Sequence, residues 1–207
     1  MSDSAQPVQA DSLVAGIRSR VEASIATKQA LLADPSALAQ IATLAVDCVA
    51  SLRGGGKIIF AGNGGSFADA QHLSAEFTSR FSFDRAPLPS LALGTNSSAI
   101  TAIGNDYGYE QVFARELRGI AGRADVFIPI STSGNSPNIL AAADAARDLG
   151  IRTVAWTGLS GGRLLQRCEC LRAPSNDTAR IQECHILIGH ILCGCVESVY
   201  FGRESRS

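Results

Sequence analysis

The stretch 57-KIIFAGNGGSFADAQHLSAEF-77 changes its pattern twice. Ile58, Ile59, Phe60 and Ala61 form a short apolar run, which reads as a strand buried on both faces. Gly62-Asn63-Gly64-Gly65-Ser66 is a polar turn. The spacing that follows predicts a helix over about 66–80, with His72 and Glu76 four residues apart and therefore on one face. Strand, glycine turn and helix together make the opening unit of a parallel sheet.

The same unit recurs downstream. SLALGT (90–95) is a second strand, followed by a mostly helical stretch with a break over 104–108. DVFIPIS (125–131) is a third, with a helix over 136–149. RTVAWTG (152–158) and ECLRAP (169–174) are the fourth and fifth, separated by a short helical piece, 161–168. A final helix covers about 178–201. Alternation of this kind gives an α/β protein, a three-layer α-β-α sandwich around a five-stranded parallel sheet with right-handed crossovers. Ligands in such sheets bind beyond the carboxyl ends of the strands.

Upstream of the alternation lie two helices, 11–32 and 36–52. Asp34 and Pro35 between them are a cap and a first helical position. We divide the chain into an N-terminal helical arm, 1–35, and a domain, 36–207, within one structural domain overall. Both helices stand outside the alternation, so their apolar faces are candidates for a subunit interface.

Of the 207 residues, 46% are hydrophobic and 18% charged, which places the chain among globular proteins. Net charge is −1 with no block of one sign, giving no footing for nucleic acid or an anionic membrane. The start, MSDSAQPVQADSLVAG, has no basic segment followed by an apolar run, and no uninterrupted apolar stretch is long enough to span a bilayer. A cytoplasmic protein is the expectation. The six cysteines (Cys48, Cys168, Cys170, Cys184, Cys193, Cys195) form no CxxC pair and read as buried reduced thiols. Cys193, three residues after His190, is the one thiol placed to be a ligand.

Two polar loops follow strands at the same sheet edge. In 131-STSGNSPNI-139, the hydroxyls of Ser131, Thr132, Ser133 and Ser136 meet backbone amides and a helix N-terminus, chemistry suited to a phosphate. An ordinary capped turn would use the same residues. The other loop, GNGGS (62–66), lacks the GxGxxG spacing. The second strand ends in Gly94-Thr95-Asn96 with no acidic residue, which disfavours a dinucleotide. Contacts to a sugar phosphate suit it better.

The imidazole of His72 and carboxylate of Glu76 suit a divalent metal or a proton-transfer pair, though a surface salt link has the same spacing. His185 and His190 fall five apart on the last helix and point apart. His190 sits in the apolar run 186-ILIGHILCGCVE-197, where a lone histidine is more often a core residue than a ligand. Gln182 precedes it by roughly 12 Å along a straight helix. One metal reaches both only if the glutamine side chain extends down the axis or its turn is distorted; otherwise different subunits supply them.

Taken together, GNGGSFADAQHLSAEFTSRF (62–81), TAIGNDYGYEQVFARE (101–116), STSGNSPNIL (131–140) and SNDTARIQECHILIGHILC (175–193) resemble the bacterial phosphoheptose isomerases of the sugar isomerase (SIS) domain family. The resemblance implies a flavodoxin-like SIS fold and an aldose–ketose isomerase. Its substrate would be D-sedoheptulose 7-phosphate and its product D-glycero-D-manno-heptose 7-phosphate, the first step of ADP- or GDP-heptose precursor synthesis. It implies a homotetramer with active sites at subunit interfaces, and a zinc ion held by His72, Glu76, Gln182 and His190. The family's substrate contacts fall on Asn63, Gly64, Gly65, Glu76, Arg80, Asn105, Asp106, Ser131, Thr132, Ser133, Ser136 and Gln182. Glu76 becomes the candidate for proton transfer at carbon and His190 the complementary acid or base, while His185 falls on a position with no ligand role. The rival is a non-catalytic SIS protein that binds a replication initiator or senses a sugar phosphate. Such an initiator-binding relative lacks the Glu and final His of the catalytic set; Glu76 and His190 are both present here.

Overall fold

The structure, a computed structural model, describes residues 10–203; residues 1–9 of the expected arm and 204–207 of the expected domain lie outside the described residues. Five strands form one parallel sheet: β1 (Ile58–Gly62), β2 (Ser90–Ala92), β3 (Val126–Ile130), β4 (Arg152–Thr157) and β5 (Glu169–Arg172). Their order is β2-β1-β3-β4-β5. The helices are α1 (Ala10–Leu32), α2 (Pro35–Arg53), α3 (Gly65–Thr78), α4 (Ser97–Tyr107), α5 (Val112–Ile120), α6 (Pro137–Leu149) and α7 (Thr178–Phe201), with 3-10 turns at Tyr109–Gln111 and Gly162–Gln166.

Every residue of β1 and β3 is buried, as their unbroken apolar runs require. Because side chains alternate along a strand, each run feeds two cores. Ile58, Phe60, Ile128 and Trp156 pack against α2, α3 and α7 on one face. Ile59, Ala61, Phe127 and Ala155 pack against α5 and α6 on the other.

This strand order puts β1 beside β3 although their connections leave on opposite faces, through α3 and α6 respectively. Such a reversal opens a crevice at the carboxyl end of the two strands. The GNGGS and STSGNS loops lie at its lip.

Several elements differ from expectation. β2 is three residues long, not six. It is an edge strand paired only to β1, and Gly94 at φ +89 turns the chain out of the sheet while its N–H donates to Glu116 Oε2 at 2.7 Å. The break over 104–108 is the end of α4, which runs unbroken to Tyr107. Asp34 caps α2 as expected, accepting from the N–H groups of Ser36 and Ala37. The apolar face of α2, a candidate for a subunit interface, packs Ile41, Leu44, Cys48 and Leu52 into the core with α7. α1 is the more exposed of the two. Its Leu31 is buried, but Leu13, Val14, Ile17, Val21 and Ile25 are each at least half exposed.

α2 and α7 both have the length and apolar composition of a membrane-crossing helix, although neither is an uninterrupted apolar run. Each turns a buried face into the shared core, and α7 buries a glutamate, Glu197. The six cysteines are all free, and Cys195 is exposed, unlike the buried thiols expected.

α7 also crosses α3 at very short range. A Cβ built on Gly189 would lie 2.5 Å from the Cδ atoms of Leu73, which is itself fully buried. Gly189→Ala should therefore destabilise the chain by about 1–3 kcal/mol, read as a lower urea midpoint at unchanged m. An unchanged midpoint would mean the two helices have slack.

His185, one turn before Gly189, is fully buried with Nε2 3.0 Å from the Thr157 carbonyl oxygen. Burial lowers its pKa from 6.5 to about 4, against the Thr157 hydrogen bond. Between those values the unfolded chain binds a proton that the folded chain refuses, so this contribution is complete above pH 6.5 and is lost as pH falls toward 4. It amounts to about 3 kcal/mol. Stability of His185→Gln should fall less steeply than that of the native chain over this range; parallel curves would rule His185 out as the cause.

Candidate functional site

The crevice between β1 and β3 holds a cavity of about 330 Å³. Asn63, Gly64 and Gly65 line it from the first loop, Ser131, Thr132 and Ser136 from the second, and Thr178 and Gln182 from the start of α7. Gly65 and Gln182 approach closely: a Cβ on Gly65 would sit 2.6 Å from Gln182 Nε2, so the amide end of that side chain would have to move aside. The Ser131 and Ser136 hydroxyls lie 3.1 Å apart. Ser136 is the N-cap of α6 but makes no side-chain cap bond, so its hydroxyl is not committed to the helix. The free N–H groups and positive dipole end of a 13-residue helix face the same space. No lysine or arginine lines the cavity. The lining offers neutral donors only, an arrangement able to cradle an anion.

Asn63 is held by a residue that loop composition did not reveal. Its Nδ2 donates to Asn138 Oδ1 at 2.9 Å, and Asn138 Nδ2 returns a bond to Asn63 Oδ1 at 2.8 Å. The Tyr109 hydroxyl adds a bond to Asn63 Oδ1 at 3.3 Å. Asn138, buried at the start of α6, thus ties the two loops together. Ser133 is exposed and lies outside the cavity lining, its Oγ accepting from the Asn135 N–H. Asn105 and Asp106 are also exposed and hydrogen-bonded to each other, not to the cradle.

A second cluster joins α3 to α7. His72 Nε2 lies 2.9 Å from His190 Nε2 and 3.3 Å from Glu76 Oε1. Donor atoms of all three lie within 4.8 Å of one another. The His72–Glu76 pair thus gains a third member, and His190 is no core histidine: it is half-buried, with its Nε2 turned toward α3. Phe81 packs on the His190 ring at 5.7 Å between centroids. Gln182 does not hydrogen-bond to any of the three; its amide lies over Gly65, in the cradle. Cys193 stays out of the cluster: it is buried, and burial pushes its thiol well above the usual range.

Asp69 lies one turn before His72, where no motif or spacing in the sequence singles it out. Burial raises its pKa to about 6 against the pull of His72, and its Oδ2 is buried without a hydrogen-bond partner. Arg80 lies past the end of α3, exposed and without a hydrogen bond or ion pair among the described residues. The arginine that engages this end of the helix is Arg85. It bonds Glu197 Oε1 at 2.7 Å through Nε, the Phe77 carbonyl at 2.7 Å through Nη1 and the Glu76 carbonyl at 2.8 Å through Nη2. Burial opposes a charge on Glu197, but the Ser82 hydroxyl, the Phe81 and Ser82 N–H groups and Arg85 together hold its pKa down at about 2. A signal did exist in the sequence: a glutamate within an apolar helix needs a partner. Nothing in the spacing pointed to Arg85 as that partner.

Comparison with known proteins places these features in a family. The SIS domain model matches residues 24–158. A phosphoheptose isomerase of Aneurinibacillus thermoaerophilus is 50% identical over 186 residues, covering 89% of this chain and 94% of the relative. One from Burkholderia pseudomallei is 51% identical over 176 residues, covering 84% and 89%. The solved structure of a phosphoheptose isomerase from Francisella tularensis superposes with a TM-score of 0.84 at 39% identity, covering 89% of this chain and 98% of that one.

Proposed function

The chain belongs to the phosphoheptose isomerases of the SIS-domain family, and from that membership we propose that its site interconverts D-sedoheptulose 7-phosphate and D-glycero-D-manno-heptose 7-phosphate. The observation that carries this reading is α3 itself. It begins in the anion cradle at Gly65 and presents His72 and Glu76 toward His190 farther along.

The cradle takes the phosphate through Ser131, Thr132 and Ser136 and the α6 N-terminus. Asn63, fixed by Asn138, offers its remaining N–H to a sugar hydroxyl. Isomerisation moves the carbonyl from C2 to C1 through an enediol. Glu76 takes the proton from C1 and returns it to C2. The His190 imidazole moves the hydroxyl proton between O1 and O2, the transfer a group that both gives and takes protons performs well.

The cluster also fits a zinc ion. Two imidazole nitrogens facing each other at 2.9 Å can share one proton or one cation, and zinc takes nitrogen with carboxylate oxygen. His72, Glu76 and His190 would hold the ion, with Gln182, whose amide lies over Gly65, the fourth ligand in the family pattern; a zinc-bound Glu76 or His190 is a poor base, so either side chain would move protons only when released from the ion. Bound zinc would supply Lewis-acid polarisation of the carbonyl and hydroxyl oxygens.

A homotetramer is part of the proposal. The exposed apolar stripe on α1 supports it, as does an apolar groove of about 570 Å³ beside His190, lined by Phe81, Ile191, Cys195 and Val199. A second copy would cover both. We place the enzyme in the cytoplasm, at the first step of activated-heptose synthesis. A non-catalytic sugar-phosphate binder would need the cradle but not the cluster that faces α7.

NMR of sedoheptulose 7-phosphate incubated with the protein should show conversion to the aldose, and a chelator should slow it. No conversion in metal-replete protein would overturn the assignment. Glu76→Gln and His190→Gln should each lower turnover by about 10²–10⁴-fold while leaving a folded oligomer. Native-like turnover removes that residue from the chemistry. Ser136→Ala should raise KM by about tenfold with little change in kcat, because the hydroxyl binds phosphate equally in ground and transition states. An unchanged KM would place the phosphate elsewhere.

A further inference from the structure

We infer that the buried Arg85–Glu197 pair is a positioning device that sets Glu76 against His190; the inference rests on the isomerase reading above. Glu76 lies in the last turn of α3, which ends at Thr78. The carbonyls of a final helical turn have no partners within the helix. Here the Arg85 guanidinium supplies them, donating to the carbonyl oxygens of Glu76, Phe77 and Ser79. A cation at this end also suits the helix dipole. Arg85 is thus bonded to the backbone of the proposed base.

The other half of the pair reaches the other proton-transfer group. Glu197 lies on α7 seven residues after His190, two turns along the same helix face. Its Oε1 accepts from the Phe81 N–H at 2.9 Å, and its Oε2 from the Ser82 N–H at 2.8 Å and the Ser82 hydroxyl at 2.6 Å. These bonds fix the segment that carries Phe81 onto the His190 ring. The two side chains therefore fasten the end of α3, the segment beyond it and α7 at one point. Both are nearly or fully buried, with side-chain exposures of 3% and 0%.

A buried ion pair is a poor way to gain stability, since desolvation consumes most of the attraction. It does fix geometry, and the planar guanidinium bonds in several set directions at once. Lysine has the charge without that fork.

The test compares native protein with Glu197→Gln, which keeps the shape and loses the charge. Both are assayed with sedoheptulose 7-phosphate, and the folded fraction is measured by circular dichroism and urea unfolding. The expected result is a kcat lower by about 10- to 100-fold per folded molecule. KM should stay within about twofold, because the cradle residues are held by other contacts. A kcat that is native once corrected for folded fraction, or a loss that falls on KM, overturns the inference. Should Glu197→Gln fail to fold, Arg85→Lys is judged by the same criteria. Lack of isomerisation by the native protein would instead defeat the isomerase reading, so the two failures are separable.

Discussion

Leu73 of α3 occupies the space that Gly189 leaves open on α7. Their chain neighbours are His72 and His190, whose Nε2 atoms meet at 2.9 Å. The missing side chain at one position thus sets how close two helices lie, and that spacing sets the imidazole pair. Protein interiors are close-packed, so a shift imposed at this crossing is passed along both helices. The same two helices carry Glu76 and Glu197, and α3 opens in the glycine loop that lines the cradle.

Neutral donors and titratable side chains occupy different parts of the molecule. The anion cradle lies at the strand reversal between β1 and β3, where the starts of α3 and α6 face one space. It uses hydroxyls, amides and a helix end, and has no lysine or arginine among its lining residues. Charged and titratable groups gather along α3 and α7 instead. With no lysine or arginine in that lining, the field around Glu76 and His190 is set by their own neighbours.

Buried polar groups follow one rule with two outcomes. Glu197 keeps its charge because Ser82, Phe81 and Arg85 together outweigh desolvation. His185 has only the Thr157 carbonyl and stays neutral. Two side chains on one helix, both fully buried, thereby take opposite electrostatic states according to the number of partners that reach them.

The strand runs, the Asp34 cap, the glycine turns and the alternation of elements were all legible from local pattern. So was the five-stranded parallel sheet, because apolar periodicity and turn chemistry are properties of residues close in the chain. The shortness of β2 was not legible, since an edge strand ends where its single partner and the turn at Gly94 allow. The family motifs named His72, Glu76 and His190, but periodicity alone assigned His72–Glu76 to a surface pair as readily, and His190 to the core. Only tertiary packing brought His72 to His190, 118 residues away, and Arg85 to Glu197, 112 away. Asn138 likewise became the partner of Asn63 only through the adjacency of β1 and β3. Sequence pattern fixes which face of an element a side chain occupies. What that face meets depends on how closely the elements pack, which here is decided by Gly189, far in sequence from the residue it accommodates.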